Sequence, residues 1–179
     1  ANLEQVRTLL DGHIPFEIVV VDDGSGDGTA DAIEAMRVRY PATIRPVILK
    51  ENGGKGAALR EGFHASRGTH VLLLDGDLDL APDMVVRFFE IMLRDDADIV
   101  IGSKRHPESE IDYPLRRRIA SRVYFGIVRL LVGLPVTDTQ TGMKLFRREA
   151  LQWSFDRMLV KRYAFDLELL AIAHGHGYR

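Results

Sequence analysis

Two acidic clusters hold most of the chemistry this chain can do. Asp22 and Asp23 close the apolar run F-E-I-V-V-V (16–21), and Asp75, Asp77 and Asp79 follow V-L-L-L (71–74) at intervals of two. On an extended backbone residues two apart share a side, so Asp75 and Asp77 converge, and a divalent cation is the simplest way to make that favourable. Carboxylate oxygens suit Mg²⁺ or Mn²⁺ rather than a soft metal, and Gly76 lets a ligand approach the backbone. A solvated turn is the commoner explanation of a lone D-x-D; here a second acidic strand end and the loop G-G-K-G (53–56) accompany it and favour the cation. That loop either cradles phosphate oxygens on its N–H groups, with Lys55 adding charge at a helix N-terminus, or is an ordinary glycine-rich turn. It is not a P-loop, because Gly56 stands where Ser or Thr should follow the lysine.

The elements that must position these residues alternate along the chain. Strands are expected at 16–25, 44–49 (with Pro46 favouring an edge), 70–74 and 98–103. Helices are expected at 2–11, from a capping Thr29 to about Tyr40 with Ala32, Ile33 and Met36 inward, at 57–65, and at 82–93 with Pro82 in its first turn. This alternation predicts an α/β fold, a largely parallel sheet with helices on both faces. Beyond a polar loop (103–113) the pattern changes to a helix over 114–133, broken at Gly126, an alternating strand M-K-L-F-R (143–147) and a helix over 165–174. In open α/β sheets ligands bind beyond the carboxyl ends of the strands, where both acidic clusters fall.

Composition narrows the possible functions. The chain has 179 residues, 46% hydrophobic and 28% charged, enough for one globular domain, and its net charge of −2 argues against nucleic-acid binding. Charge is unevenly spread: Ser103–Arg148 carries ten Lys/Arg against four Asp/Glu, a net +6, leaving −8 elsewhere. An anion belongs near the second half and a cation near the first. The chain contains no cysteine, which excludes disulfides and thiolate metal sites and is compatible with a reducing compartment. No apolar run approaches the roughly 20 residues that span a bilayer, so any membrane contact within this chain is peripheral.

Five ordered motifs carry a family resemblance: V-D-D-G-S-G-D-G-T (21–29), N-G-G-K-G-A-A (52–58), L-L-D-G-D-L-D-L-A-P (73–82), D-I-V-I-G-S-K-R (98–105) and D-T-Q-T-G-M-K-L-F (138–146). In this order they resemble the family 2 inverting glycosyltransferases of the GT-A, Rossmann-like fold. With Y-A-F-D-L-E-L-L (163–170), they are most similar to the polyprenyl-phosphate branch, dolichyl-phosphate β-glucosyltransferases first and dolichyl-phosphate mannose synthases next.

The resemblance implies hexose transfer, glucose ahead of other sugars, from a nucleotide sugar to a polyprenyl or dolichyl phosphate at the cytoplasmic membrane face. UDP-glucose is the first-choice donor and GDP-mannose the second. Asp22, Asp23, Gly24, Ser25, Lys55 and Asp75 are then nucleotide-site residues, and Asp75 and Asp77 hold Mg²⁺ or Mn²⁺ on the donor diphosphate. Asp79 occupies the place of a glutamine ligand in the mannose synthases. Lys104, Arg117 and Ser121 match acceptor-phosphate positions, Arg117 and Ser121 sharing a helical face at i, i+4. A family member normally starts with a further strand, so the resemblance also implies a missing first strand and a single catalytic domain, 1–179, truncated at both ends.

The residues themselves favour an anionic acceptor, since a phosphate attacks without a strong general base and needs cations to approach an anionic donor. Arg116-Arg117-Arg118 could otherwise be a solvated surface, and the apolar residues from Val123 to Val132 suit a membrane interface or a core equally. A saccharide hydroxyl acceptor, with Asp138 as base, and a non-catalytic nucleotide-sugar or membrane-surface module are the alternatives. His174 and His176 read as a polar helix end, and Trp153 and Tyr163 as packing residues.

Overall fold

The computed structural model describes residues 2–12, 14–76, 84–102, 141–162 and 164–179. After helix α1 (Asn2–Leu10), strands β1 (Ile18–Asp22) and β2 (Ile44–Ile48) pair in parallel around the crossover helix α2 (Thr29–Arg39). Pro46 lies opposite Val20 in β2, whose one described partner is β1, so the missing N–H interrupts no second ladder.

Helix α3 (Lys55–Ala65), strand β3 (His70–Leu74), helix α4 (Met84–Arg94) and strand β4 (Ile99–Ile101) continue the alternation. Strand β5 (Met143–Arg147) and helices α5 (Arg148–Phe155) and α6 (Phe165–His176) follow the undescribed stretch. β5 lies between β3 and β4 and runs antiparallel to both. β3 and β4 therefore point the same way, as strands joined through a crossover helix do.

Helices cover both faces, as the sequence pattern predicts, and β5 shows how. Met143 and Leu145 pack with Val6 and Leu10 of α1 and with Val85, Phe88 and Met92 of α4. Phe146 turns the other way, into Leu151 and Phe155 of α5 and Phe165 and Leu169 of α6. Burying one such Leu or Phe side chain is worth about 1.5–3 kcal/mol. The alternating M-K-L-F-R therefore has no wet face: Met143, Lys144, Leu145 and Phe146 are all buried.

Three local expectations are corrected. Thr29 does not cap α2: Gly28, at φ 85°, holds the cap position. Thr29 instead donates from its N–H and Oγ1 to Asp27 Oδ1, at 3.1 and 2.6 Å. Ala32 is exposed, leaving Ile33 as the buried residue of α2. α3 begins at Lys55, ahead of its apolar pattern, so that the glycine-rich loop runs straight into its first turn. Pro82 and the helix expected over 114–133 lie outside the described residues.

Candidate active site

The ends of β1, β3 and β4 meet the start of β5 and the first turns of α3 and α6. β1 delivers Asp22, which is 3% exposed: Oδ1 accepts from Ser25 N–H at 3.2 Å, while Oδ2 is buried with no hydrogen-bond partner among the described residues. A buried acceptor left unmet costs about 1–3 kcal/mol, so this oxygen is suited to a donor brought by a ligand. Gly24, two residues on, packs its Cα against the Glu51 backbone, where a Cβ would come within 2.9 Å of the Glu51 carbonyl carbon.

Asp23 fastens β1 to the glycine-rich loop. Its Oδ1 accepts from Gly53 N–H at 2.8 Å and its Oδ2 from Gly54 N–H at 2.9 Å. The N–H cradle that the sequence offers to a phosphate is thus filled by an internal carboxylate. Gly54 has φ 91° and a neighbour too close for any side chain: a Cβ there would lie 2.9 Å from the Lys161 carbonyl oxygen. Gly54→Ala is expected to cost about 1–3 kcal/mol in a denaturation experiment, through strain and overpacking together; a variant as stable as the parent would contradict this packing.

Asp75 emerges from β3 with its N–H held by the Gly142 carbonyl at 3.0 Å. The Lys55 ammonium sits astride its carboxylate, 2.7 Å from Oδ1 and 2.8 Å from Oδ2. Gly142 lies directly against this group, since a Cβ on it would come within 2.9 Å of Asp75 Oδ2. Asn2 Nδ2 donates to the Gly76 carbonyl at 2.8 Å, tying α1 to the same turn.

Behind this lies a largely buried ion pair that sequence reading did not single out. Lys144, on the α5/α6 face of β5, donates from Nζ to Asp166 Oδ1 and to the Thr141 carbonyl, both at 2.6 Å. Thr141 Oγ1 in turn donates to the Gly102 carbonyl at the end of β4, at 2.8 Å. Burial pushes the Asp166 carboxyl above the usual carboxylate range, Lys144 and Lys55 pull it down, and Asp75 pushes it further up. Two lone charges in apolar runs, Lys144 in M-K-L-F and Asp166 in Y-A-F-D-L, were the signal available.

The structure thus gathers Asp22, Asp23, Gly24, Ser25, Lys55 and Asp75 around the strand ends, and adds Asp166, Lys144 and Gly142. Asp77, Asp79, Lys104, Arg117, Ser121, Asp138 and Tyr163 lie outside the described residues. Among the described residues no three His, Asp or Glu are grouped to hold a metal ion. Asp75 is the described member of the expected metal set, and it fits: a hard oxygen donor that already attracts a cation to both oxygens. Trp153 stacks on His176 with ring centroids 3.7 Å apart, so His176 packs against an aromatic ring.

Comparison with known proteins identifies the family. The sequence profile described as "Glycosyl transferase family 2" matches residues 2–154. The dolichyl-phosphate beta-glucosyltransferase of Homo sapiens is 37% identical over 184 residues, covering 93% of this chain and 54% of that protein. Its namesake from Dictyostelium discoideum is 34% identical over 165 residues, 88% of this chain and 50% of that protein. The chain spans about half the length of these relatives. Among solved structures, the mannosyltransferase PcManGT from Pyrobaculum calidifontis, in complex with GDP-Man and Mn²⁺, superposes with TM-score 0.64 at 22% identity, over 99% of this chain and 49% of that one.

Proposed function

Because this chain belongs to glycosyl transferase family 2 and has its GT-A fold, we propose that the full-length protein transfers a hexose, glucose ahead of mannose, from a nucleotide sugar to a polyprenyl phosphate. The observation that carries the reading is the convergence of Asp22, Lys55 and Asp75 on one end of the strands, in a chain whose relatives are named dolichyl-phosphate beta-glucosyltransferases. Asp22 Oδ2, buried and unpaired, is positioned to accept from the base or ribose of the donor. Lys55 supplies positive charge where the donor diphosphate would lie.

Asp75, with Asp77 and Asp79, would hold Mg²⁺ or Mn²⁺. That ion, when bound, neutralises charge on the departing nucleoside diphosphate. The acceptor phosphate oxygen attacks the anomeric carbon from the side opposite the diphosphate; the new C–O bond forms as the bond to the diphosphate breaks, so configuration inverts. A phosphate is already an anion at neutral pH, so the chain need not supply a base; it needs cations to seat the acceptor beside an anionic donor. Lys104, Arg117 and Ser121 are assigned that task.

Among the described residues no helix is long and apolar enough to cross a membrane. Contact with the lipid acceptor at the membrane's cytoplasmic surface is part of the same proposal, supported by the basic 103–148 stretch, which suits anionic groups.

The test is a donor-by-acceptor screen on the full-length protein, UDP-glucose and GDP-mannose each offered with a polyprenyl phosphate and with saccharide acceptors. Glucose transfer to the polyprenyl phosphate is expected. Transfer to a saccharide hydroxyl alone would overturn the acceptor assignment and point to Asp138 as a base. Arg117→Ala is expected to raise the KM for polyprenyl phosphate about 10- to 100-fold, the worth of a hydrogen bond to a charged group, with donor KM nearly unchanged. Loss of donor binding instead would mean that Arg117 belongs to the donor site.

A further inference from the structure

Nothing in the donor and acceptor roles above uses Asp166. It occupies the first turn of α6 with a side chain 14% exposed, and Lys144 Nζ holds its Oδ1 at 2.6 Å. Its Oδ2 makes no hydrogen bond to a described residue. The adjoining Phe165 abuts the start of α3: a Cβ on Gly56 would lie 2.9 Å from Phe165 Cβ, and Lys55 Nζ is 5.9 Å from the Phe165 ring centre. Among the described residues Asp166 is thus a carboxylate with one oxygen held by Lys144 and the other without a partner, next to the Phe165 that packs on the first turn of α3.

We propose that Asp166 accepts a hydrogen bond from a hydroxyl of the sugar being transferred, and that Lys144 is the residue that positions it. This rests on the nucleotide-sugar reading above. The choice of ligand group follows from charge. A carboxylate repels both the donor diphosphate and the acceptor phosphate, and its cation is already supplied by Lys144. What it can still receive is a neutral donor. In a nucleotide sugar, the neutral, hydroxyl-rich part adjoining the diphosphate is the sugar itself. Fixing Oδ1 on Lys144, which is itself anchored on the Thr141 carbonyl, prevents the carboxylate from turning away. An acceptor that a bound sugar covers discriminates strongly against a sugar lacking the hydroxyl, because it is then left unmet.

The experiment measures binding of UDP and of UDP-glucose to the full-length protein by calorimetry, for the parent and for Asp166→Asn. In the variant UDP affinity should stay within about twofold, while UDP-glucose should weaken about tenfold or more. Equal weakening of both ligands would show a merely structural carboxylate and overturn the proposal. A second measurement does not depend on how the variant folds. The parent is titrated with UDP-glucose analogues each lacking one sugar hydroxyl, and one of them should bind about tenfold or more worse than the rest; a flat series overturns the proposal. A parent protein that binds UDP but transfers no sugar from any nucleotide sugar would instead remove the reading beneath it.

Discussion

Asp75→Asn is expected to cut sugar transfer by the full-length protein about 10²- to 10³-fold, the scale on which loss of one preorganised electrostatic contact acts. The substitution keeps the size of the side chain and leaves the backbone N–H on the Gly142 carbonyl, so the strand end stays in place. What disappears is the negative charge that attracts a cation, in this structure the Lys55 ammonium at 2.7 Å. Because the two partners are 50% and 30% exposed, the freed lysine returns to water at little cost to stability. The check is an initial-rate assay at saturating donor beside a thermal melt. A variant with parental rates would remove Asp75 from the reaction, and one that melts far earlier would make its role structural.

Lys144→Met should have the largest effect on stability, about 3–5 kcal/mol, because it leaves the Asp166 carboxylate buried without its counter-ion. Methionine fills the same channel between β5 and the α5/α6 layer, so packing loss is a minor part of that figure. The deficit should depend on pH. Without Lys144, desolvation raises the Asp166 carboxyl further, so the folded state binds a proton more readily than the unfolded chain. Stability of the variant relative to the parent then rises as pH falls through that raised value, and is worst at and above neutrality. Urea denaturation at pH 5 and pH 8 measures this. A Lys144→Met/Asp166→Leu double variant should recover much of the loss, since removing both charges leaves none unpaired. A single variant as stable as the parent would deny that the pair is buried.

The alternation of strand and helix was legible because strands covered on both faces leave long apolar runs, such as I-V-V-V and V-L-L-L, between glycine-rich breaks. Asp22, Asp23 and Asp75 were legible for the same reason: acid at the end of an apolar strand is conspicuous. Partnerships were less so. Nothing local in D-D-G-S announces that Asp23 will spend both oxygens on Gly53 and Gly54, which another strand end brings to it. Lys144 in M-K-L-F looked like the wet side of an alternating strand, since the sequence of β5 does not disclose that a second layer will cover that side. The cap of α2 was misread because Thr29 and Asp27 are both good caps, and only the backbone turn at Gly28 decides between them.

β5 also fixes when the site can exist during folding. β3 and β4 do not bond to each other; each finds its partner in a strand that follows them by some forty residues or more. During synthesis Asp75 and Gly102 are therefore displayed on two strands with open edges until Met143–Arg147 has emerged and slid between them. Pairings of such sequence separation close slowly and leave strand edges exposed meanwhile. The ledge beneath Asp75 is thus among the last parts of the sheet to form, and the Asp75 side of the site is completed only when Met143–Arg147 joins the other strands.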